Sequence, residues 1–176
     1  MANREALREL QSRLATRLQA ARTEGVQASW LAVESAGGRY LFPLAQSGEI
    51  FPFASAQPVP YTQGWFLGVA NLRGGLYGVV DLAGFVAGRA PAVRSDATRA
   101  ESRLVALNST LDVNCALLIE RLSGLRNLDA FSTSCDAPQG SPEYFGSGYT
   151  DASGAYWQEI NLQTLSQQPQ FLSISA

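Results

Sequence analysis

Short runs of alternating apolar and polar residues, separated by turns rich in glycine, fill most of the chain after Gly25. The first two runs, Trp30 to Glu34 and Arg39 to Leu44, flank a tight turn at 35–38 and predict a β-hairpin. The same pattern predicts strands at Glu49 to Phe53, Leu67 to Asn71, Leu76 to Leu82, Arg103 to Leu107, Cys115 to Arg121 and Tyr156 to Leu162. Short strands at this spacing favour β-barrels or a sandwich over a parallel α/β sheet, so we expect a mainly β protein.

The remaining stretches differ in pattern. Residues 3–23 lack Gly and Pro and repeat leucine at steps of three or four, which predicts an amphipathic helix with a narrow apolar stripe. The stretches Gly88 to Glu101 and Ser132 to Ser153 have the composition of loops, and the polar tail Gln167 to Ala176 is expected to be loosely held. A chain of 176 residues can form one domain, or two small lobes that share a core.

The charged residues and the cysteines exclude several classes of function. A net charge of −2 argues against nucleic-acid binding, because phosphate recognition requires a concentrated basic face. All 13 cations are Arg and there is no His, so the usual general base and the usual metal ligand are missing. Cys115 and Cys135 are too few for a zinc site; two buried free thiols are the better interpretation, and a disulfide between them is the alternative that the sequence leaves open. We therefore expect no enzymatic activity, no metal and no cofactor.

The sequence also predicts a location. The first ten residues, MANREALREL, lack the apolar core of a signal peptide. No run of about 18 apolar residues, the length that spans a membrane, occurs in the chain. From these two observations we expect a cytosolic protein.

Two motifs resemble chemical sites that their surroundings do not support. Glycines between Gly68 and Gly78 could let backbone amides approach a phosphate, but the chain has no Lys and an apolar strand follows, not a helix. Asp81, with Glu120 or Glu159 as a second carboxylate, could serve a hydrolase. Because Asp81 follows a strand and begins Asp-Leu-Ala-Gly, capping of the next turn or short helix is the better interpretation.

Aromatic residues leave an alternative function open. A β-barrel can stack the bases of an oligonucleotide, or hold a small ligand, on exposed rings. The candidates are Trp65, Phe66, Tyr77, Tyr144, Phe145, Tyr156 and Trp157. Few cations accompany these rings, so core packing is the simpler interpretation, and a small-ligand or oligonucleotide-binding β-barrel is the alternative to the function described next.

One cation stands out within the apolar stretch GVANLRGGLYGVVDL at 68–82. Arg73 should either find an acid or lie on a surface that another protein covers, because an unpaired buried charge is costly. Glu49, which precedes Ile50, is the candidate partner.

The ordered motifs around this pair resemble the CheW family of chemotaxis coupling proteins. The motifs are Glu49-Ile50, Val59-Pro60, WFLGVANLRG at 65–74 and Val79-Val80-Asp81-Leu82. The likeness continues through CALLIERLSGL at 115–125 and the closing segments between Glu143 and Leu165, and covers roughly residues 28–166. The sequences WFLGVANLRG and VVDLAGF are most similar to those of the PilI branch, the coupling proteins of type IV pilus twitching-motility systems.

This resemblance implies both a fold and a function. The fold would be two side-by-side, five-stranded SH3-like barrels, intertwined in one domain at 25–176 that follows an N-terminal helical extension at 1–24. The function would be that of a non-enzymatic adaptor at membrane-associated receptor arrays in the cytoplasm. Its partners would be the regulatory domain of a CheA-type histidine kinase and the cytoplasmic tip of a methyl-accepting chemoreceptor.

The resemblance also implies the residues that meet those partners. Glu49 would pair with Arg73 at the partner surface, with Val69 and Leu72 beside them. Leu122 and Leu125 match the apolar positions that line the receptor groove of the family.

Overall fold

The computed structural model describes residues 29–90 and 93–176. The strands are β1 (Trp30–Ser35), β2 (Gly38–Pro43), β3 (Ser47–Pro52), β4 (Phe66–Leu72), β5 (Gly75–Asp81), β6 (Arg103–Leu107), β7 (Cys115–Ile119), β8 (Arg121–Arg126), β9 (Phe131–Cys135), β10 (Phe145–Asp151) and β11 (Tyr156–Ile160). The helices are α1 (Leu82–Ala87), α2 (Asp96–Glu101), α3 (Leu162–Gln167) and α4 (Pro169–Leu172), with short 3-10 turns at Leu44–Gln46, Ser109–Leu111 and Leu128–Ala130. The helix predicted at 3–23 lies outside the described residues.

The strands form two sheets, each the basis of one lobe. The six-stranded lobe has the order β8-β1-β2-β11-β10-β9, and the five-stranded lobe has the order β3-β6-β7-β5-β4. Neighbouring strands are antiparallel except for β2 with β11 and β5 with β7. From β1 onward, the chain forms two strands of the six-stranded lobe, then the whole five-stranded lobe, and then returns to the six-stranded lobe. The prediction of a mainly β protein with two sheets is confirmed, with six and five strands.

A shared core lies between the lobes because strands in the middle of the fold bury both faces. In β7, Cys115, Leu117 and Ile119 join the shared core, whereas Ala116 and Leu118 fill the interior of the five-stranded lobe. Strands β1 and β6 divide their residues in the same way. Alternation along a strand therefore serves two cores at once, and each buried aliphatic side chain contributes about 1.5–3 kcal/mol.

Most predicted strands are confirmed to within two residues, but the second half of the chain differs in two places. The stretch predicted as a loop at 132–153 contains all but the first residue of β9 and the whole of β10. That prediction was wrong because β9 is an exposed outer strand, which is held by backbone pairing to β10 and needs no apolar pattern. The strand predicted at 115–121 ends at Ile119, and the chain then enters the other lobe as β8.

The C-terminal tail is fixed to the body, contrary to the expectation that it would be loosely held. Phe171 is only 4% exposed and packs its ring against those of Trp65 and Phe85. The backbone N–H of Gln63 donates to the Ile174 carbonyl at 2.7 Å. Phe171 and backbone hydrogen bonds such as this one dock the tail, and its polar composition concealed this. Among the described residues, none of the helices has the length and apolar character needed to cross a membrane.

Candidate partner-binding surfaces

The hairpin between β4 and β5 holds Arg73 in an unusual backbone conformation. Leu72 pairs with Gly75, so Arg73 and Gly74 form a two-residue turn, with φ of 51° and 81°. Two positive φ values are what a type I′ turn requires, and glycine meets that requirement at the second position without strain. The Asn71 side-chain oxygen accepts a hydrogen bond from the Gly74 N–H at 2.9 Å. The turn is thereby fixed, and it presents Arg73 to solvent.

Arg73 and Glu49 form the ion pair that the sequence predicted. The Arg73 Nη1 and Glu49 Oε1 atoms are 2.5 Å apart, with side chains 78% and 43% exposed. Glu49 lies on β3 and Arg73 directly follows β4, and these are the two outer strands of the five-stranded sheet. The pair therefore bridges the two edges of a curled sheet. An exposed pair contributes at most about 1 kcal/mol, so stability alone does not explain it.

Exposed apolar side chains flank the ion pair. Ile50, next to Glu49, is 36% exposed, and Leu76 is 64% exposed. Leu76 lies directly opposite Asn71 in the hairpin. It is on the side of β5 opposite to Tyr77 and Val79, which face the interior of the five-stranded lobe. Sequence reasoning missed Leu76 because its outward direction depends on the hairpin register, which the Arg73-Gly74 turn could have indicated. We call Glu49, Ile50, Arg73 and Leu76 the ion-pair surface.

The other two predicted residues of this region lie deeper. Leu72 is 6% exposed and belongs to the interior of the five-stranded lobe. Val69 is half-buried, and its backbone forms two hydrogen bonds with Gln57, at 2.7 and 2.9 Å. Both residues support the hairpin, and a contribution of Leu72 to partner binding would have to act through that support.

A second apolar surface lies on the six-stranded lobe. Leu122 and Leu125 of β8 are 36% and 55% exposed, and Leu128, just beyond the strand, is 58% exposed. Leu122 and Leu125 pair with Val33 and Leu31 of β1, which both face the shared core. The shared core therefore continues onto the surface at β8, which is an outer strand of its sheet. We call Leu122, Leu125 and Leu128 the β8 stripe.

The predicted site residues therefore separate into two surfaces on different lobes. Glu49 and Arg73 belong to the five-stranded lobe, and Leu122 and Leu125 belong to the six-stranded lobe. A protein with this arrangement offers one surface with a charged centre and one that is apolar.

The candidate carboxylates of a hydrolase have structural partners instead. Asp81 is 1% exposed, accepts a hydrogen bond from the Gly84 N–H at 3.0 Å, and forms an ion pair with Arg94. The predicted cap at Asp81 is thus confirmed. Arg94 also lies 3.9 Å, from Nε to Oε1, from Glu120. Sequence reasoning missed Arg94 because it lies in a stretch with loop composition, although a buried Asp after a strand requires a cation.

Glu159 lies apart from these groups, on β11 in the six-stranded sheet. It accepts a hydrogen bond from the Trp30 indole N–H at 2.9 Å, and its burial raises the pKa of its carboxyl above the ordinary value. Its side chain is thus occupied in packing against β1. The pairing of Asp81 with Glu159 for hydrolysis has no support in this geometry.

Of the seven candidate stacking aromatics, three are buried, three are partly buried against a core, and Tyr156 is 43% exposed. Trp65, Tyr144 and Trp157 are 4%, 6% and 3% exposed, so their faces are unavailable to a base or a small ligand. Cys115 is buried, and burial raises the pKa of its thiol to about 12. Cys135 is a free thiol but is exposed on the outer strand β9, so the expectation that both cysteines are buried was wrong.

Comparison with known proteins identifies the class. The CheW-like domain family matches residues 29–170, most of the chain, and the chain belongs to the CheW family. Proteins of this family are non-enzymatic scaffold and adaptor proteins. Two named proteins are similar to this chain.

A curated relative is Protein PilI of Pseudomonas aeruginosa, which is 28% identical over 159 residues, covering 88% of this chain and 85% of the relative. The crystal structure of the scaffolding protein CheW from Thermoanaerobacter tengcongensis superposes with a TM-score of 0.64 at 16% identity. That match covers 82% of this chain and 96% of the solved one, and it shows that the two proteins share a fold.

Proposed function

We propose that this protein is the adaptor that couples a methyl-accepting chemoreceptor to a CheA-type histidine kinase in a type IV pilus twitching-motility system. It works in the cytoplasm, at the membrane-associated receptor array. The kinase regulatory domain binds the ion-pair surface, and the receptor tip binds the β8 stripe. The observation that supports this proposal best is the Arg73–Glu49 pair, which is fixed in an exposed turn and flanked by exposed apolar side chains.

Physical reasoning favours a binding role for the ion-pair surface. The pair adds little to folding stability, yet the backbone adopts a positive φ at Arg73 to present it. A surface held rigidly before binding loses little conformational entropy when a partner docks. Apolar side chains around a central Arg supply burial, while the charges set the register of the complex.

The presence of two surfaces on two lobes supports the coupling role. A protein that holds two partners at once needs docking sites that do not overlap. The ion-pair surface and the β8 stripe lie on different sheets, and the shared core joins those sheets into one body. Binding at one surface can then fix the position of the partner at the other.

The first test is titration of the kinase regulatory domain from the same cell with the wild type, Arg73→Glu, and the double variant Glu49→Arg with Arg73→Glu. The single reversal should weaken binding at least about tenfold, which corresponds to 1.4 kcal/mol. Arg39→Glu is the matched control, because Arg39 is exposed on β2, away from this surface. Circular dichroism verifies that each variant is folded.

The double variant separates two roles of the pair. If the pair acts only by holding the hairpin to β3, the double reversal should restore binding. If Arg73 contacts the kinase, the double variant should bind as weakly as the single one. Wild-type binding that Arg73→Glu leaves unchanged would refute the assignment of the ion-pair surface to the kinase.

The receptor surface is tested with a peptide or coiled-coil fragment of the receptor tip. Leu125→Glu should abolish its binding while kinase binding persists, since Leu125 is 55% exposed on the other lobe. Leu172→Glu, which alters a leucine of similar exposure (57%) on α4, is the matched control. Loss of both partners in Leu125→Glu, with an intact fold, would refute the division between the two surfaces.

The pilus assignment is tested in cells. A strain that lacks this protein should lose twitching motility, and expression of the wild type should restore it. Normal twitching with defective flagellar swimming would assign the protein to a different chemosensory system.

A further inference from the structure

The β8 stripe is a run of three exposed leucines on the six-stranded lobe. Leu122, Leu125 and Leu128 are 36–58% exposed, and β8 has a paired neighbour, β1, on one side only. An outer strand with exposed apolar side chains is prone to unwanted association unless something covers it.

The described part of the chain starts directly beside this stripe. The Ser29 N–H donates to the Arg126 carbonyl, at the end of β8, at 2.9 Å. The Ser29 carbonyl accepts from the N–H of Leu44, a residue that is itself 39% exposed. The first described residue, Ser29, therefore lies beside one end of the β8 stripe.

The sequence of this segment suits the stripe in pattern and in length. Leu7, Leu10, Leu14 and Leu18 fall on one side of the predicted helix at 3–23. Such a helix would be about 31 Å long, at about 1.5 Å per residue. The six-residue strand β8 spans about 20 Å. Five residues between the helix and Ser29, up to about 17 Å when extended, allow the helix to turn back along the strand.

The charges of the segment and the body are complementary. Residues 1–28 contain five Arg and three Glu, a formal net charge of +2, whereas residues 29–176 contain eight Arg and twelve acids, a net charge of −4. A cleft of about 360 Å³ beyond the other end of β8 is lined by Glu34, Glu101 and Glu120, with Arg121. A helix that ran back from Ser29 along β8 would bring its first residues, with Arg4 and Arg8, toward this cleft.

We propose that the segment at 3–23 covers the β8 stripe of its own chain, with its leucines on Leu122, Leu125 and Leu128 and its first arginines toward the acidic cleft. A partner of the β8 stripe must displace this segment before it binds. The covering itself is independent of the proposed function, and only the competition rests on it. The segment thus lowers the apparent affinity of a partner for the β8 stripe, and it shields an apolar outer strand from solvent.

The test uses the full chain without any partner. Leu10→Glu with Leu14→Glu breaks the leucine side of the segment, and Ser12→Glu with Thr16→Glu is the matched control, since it adds the same charge on the opposite side. Amide hydrogen exchange of β8 should become at least about tenfold faster in the leucine variant, while the control exchanges like the wild type. Exchange of β8 that is equal in all three proteins would overturn the proposal.

A second measurement identifies the occupant. A nitroxide placed at residue 16, in a Thr16→Cys, Cys135→Ser background, should broaden the amide signals of Leu122, Leu125 and Leu128. Mixing labelled chains with unlabelled, ¹⁵N-enriched ones shows whether the effect stays within one molecule. Broadening only between molecules would assign the stripe to a second copy of this chain, and no broadening would leave the stripe to an external partner; either result refutes the proposal.

The competition is measured with the receptor-tip fragment. The leucine variant should bind this fragment more tightly than wild type, and the control variant should bind it equally to wild type. Faster exchange of β8 without any receptor binding would refute the proposed function but leave the covering intact. Weaker receptor binding in the leucine variant would refute the competition.

Discussion

Removal of Arg94 should strongly destabilise this protein. The Asp81 carboxylate is 1% exposed and the Arg94 side chain 11% exposed, so their ion pair is almost entirely withdrawn from water. Without Arg94 the carboxylate keeps the Gly84 N–H, at 3.0 Å, as a partner. Removal of one member of a buried pair typically costs about 3–5 kcal/mol, because the other charge stays buried without compensation. For Arg94→Met we therefore expect a loss of this size, or about 6–20 °C in melting temperature.

The double variant tests the cause. Asp81→Asn with Arg94→Met removes both charges, and Asn caps a helix about as well as Asp. Glu120 is 30% exposed and can remain solvated without Arg94. More than half of the lost stability should therefore return in the double variant. Urea denaturation, followed by tryptophan fluorescence and circular dichroism, measures all three proteins. A loss below about 1 kcal/mol in Arg94→Met would show that the pair is not desolvated.

Three further predictions concern single residues. Gly68→Ala should cost about 2 kcal/mol or more in urea denaturation, because φ is 124° there and a Cβ would lie 2.0 Å from the Gln57 carbonyl oxygen. In a thiol-labelling assay Cys135 should react at once and Cys115 only after unfolding, since burial raises the Cys115 pKa to about 12; equal rates would contradict this. Burial raises the pKa of the Glu159 carboxyl above its ordinary value in the folded protein. The free energy of unfolding therefore falls as pH rises from the pKa of this group in the unfolded chain to its pKa in the folded protein. Glu159→Gln should therefore be more stable than wild type at neutral pH, and a less stable variant would refute this sign.

The strands of the central fold were predictable from sequence because their residues must be buried. Val105 and Leu117, for example, belong to apolar runs of the length typical of strands, and the structure places both in the shared core. The outer strand β9 has no such pattern, since Ser132, Thr133 and Ser134 are exposed and are held mainly by backbone pairing to β10. The alternation of apolar residues in a sequence reflects the burial of side chains, so a strand whose side chains are exposed does not show it.

The candidate surfaces also contain some features that were predictable from the sequence and others that were not. The sequence placed Arg73 in an apolar stretch with glycines, and from that context together with the family motifs the pair with Glu49 was predictable. The exposure of Leu76 was not predictable, because it depends on the register of a hairpin that forms only when the turn closes. Cys135 was placed wrongly for a similar reason, since its burial depends on the position of β9 at the edge of the sheet.

The sequence by itself determined the mainly β class, the absence of His chemistry, the family likeness and the charged pair at the β4–β5 turn. These features depend on residue type and on short-range spacing, which local physics translates directly into strands and turns. Only the tertiary structure decided that the chain leaves one lobe, completes the other and returns, that Arg94 neutralises Asp81, and that the leucines of β8 stay exposed. Those outcomes depend on which distant strands meet, and a contact between residues far apart in sequence leaves no local pattern to read.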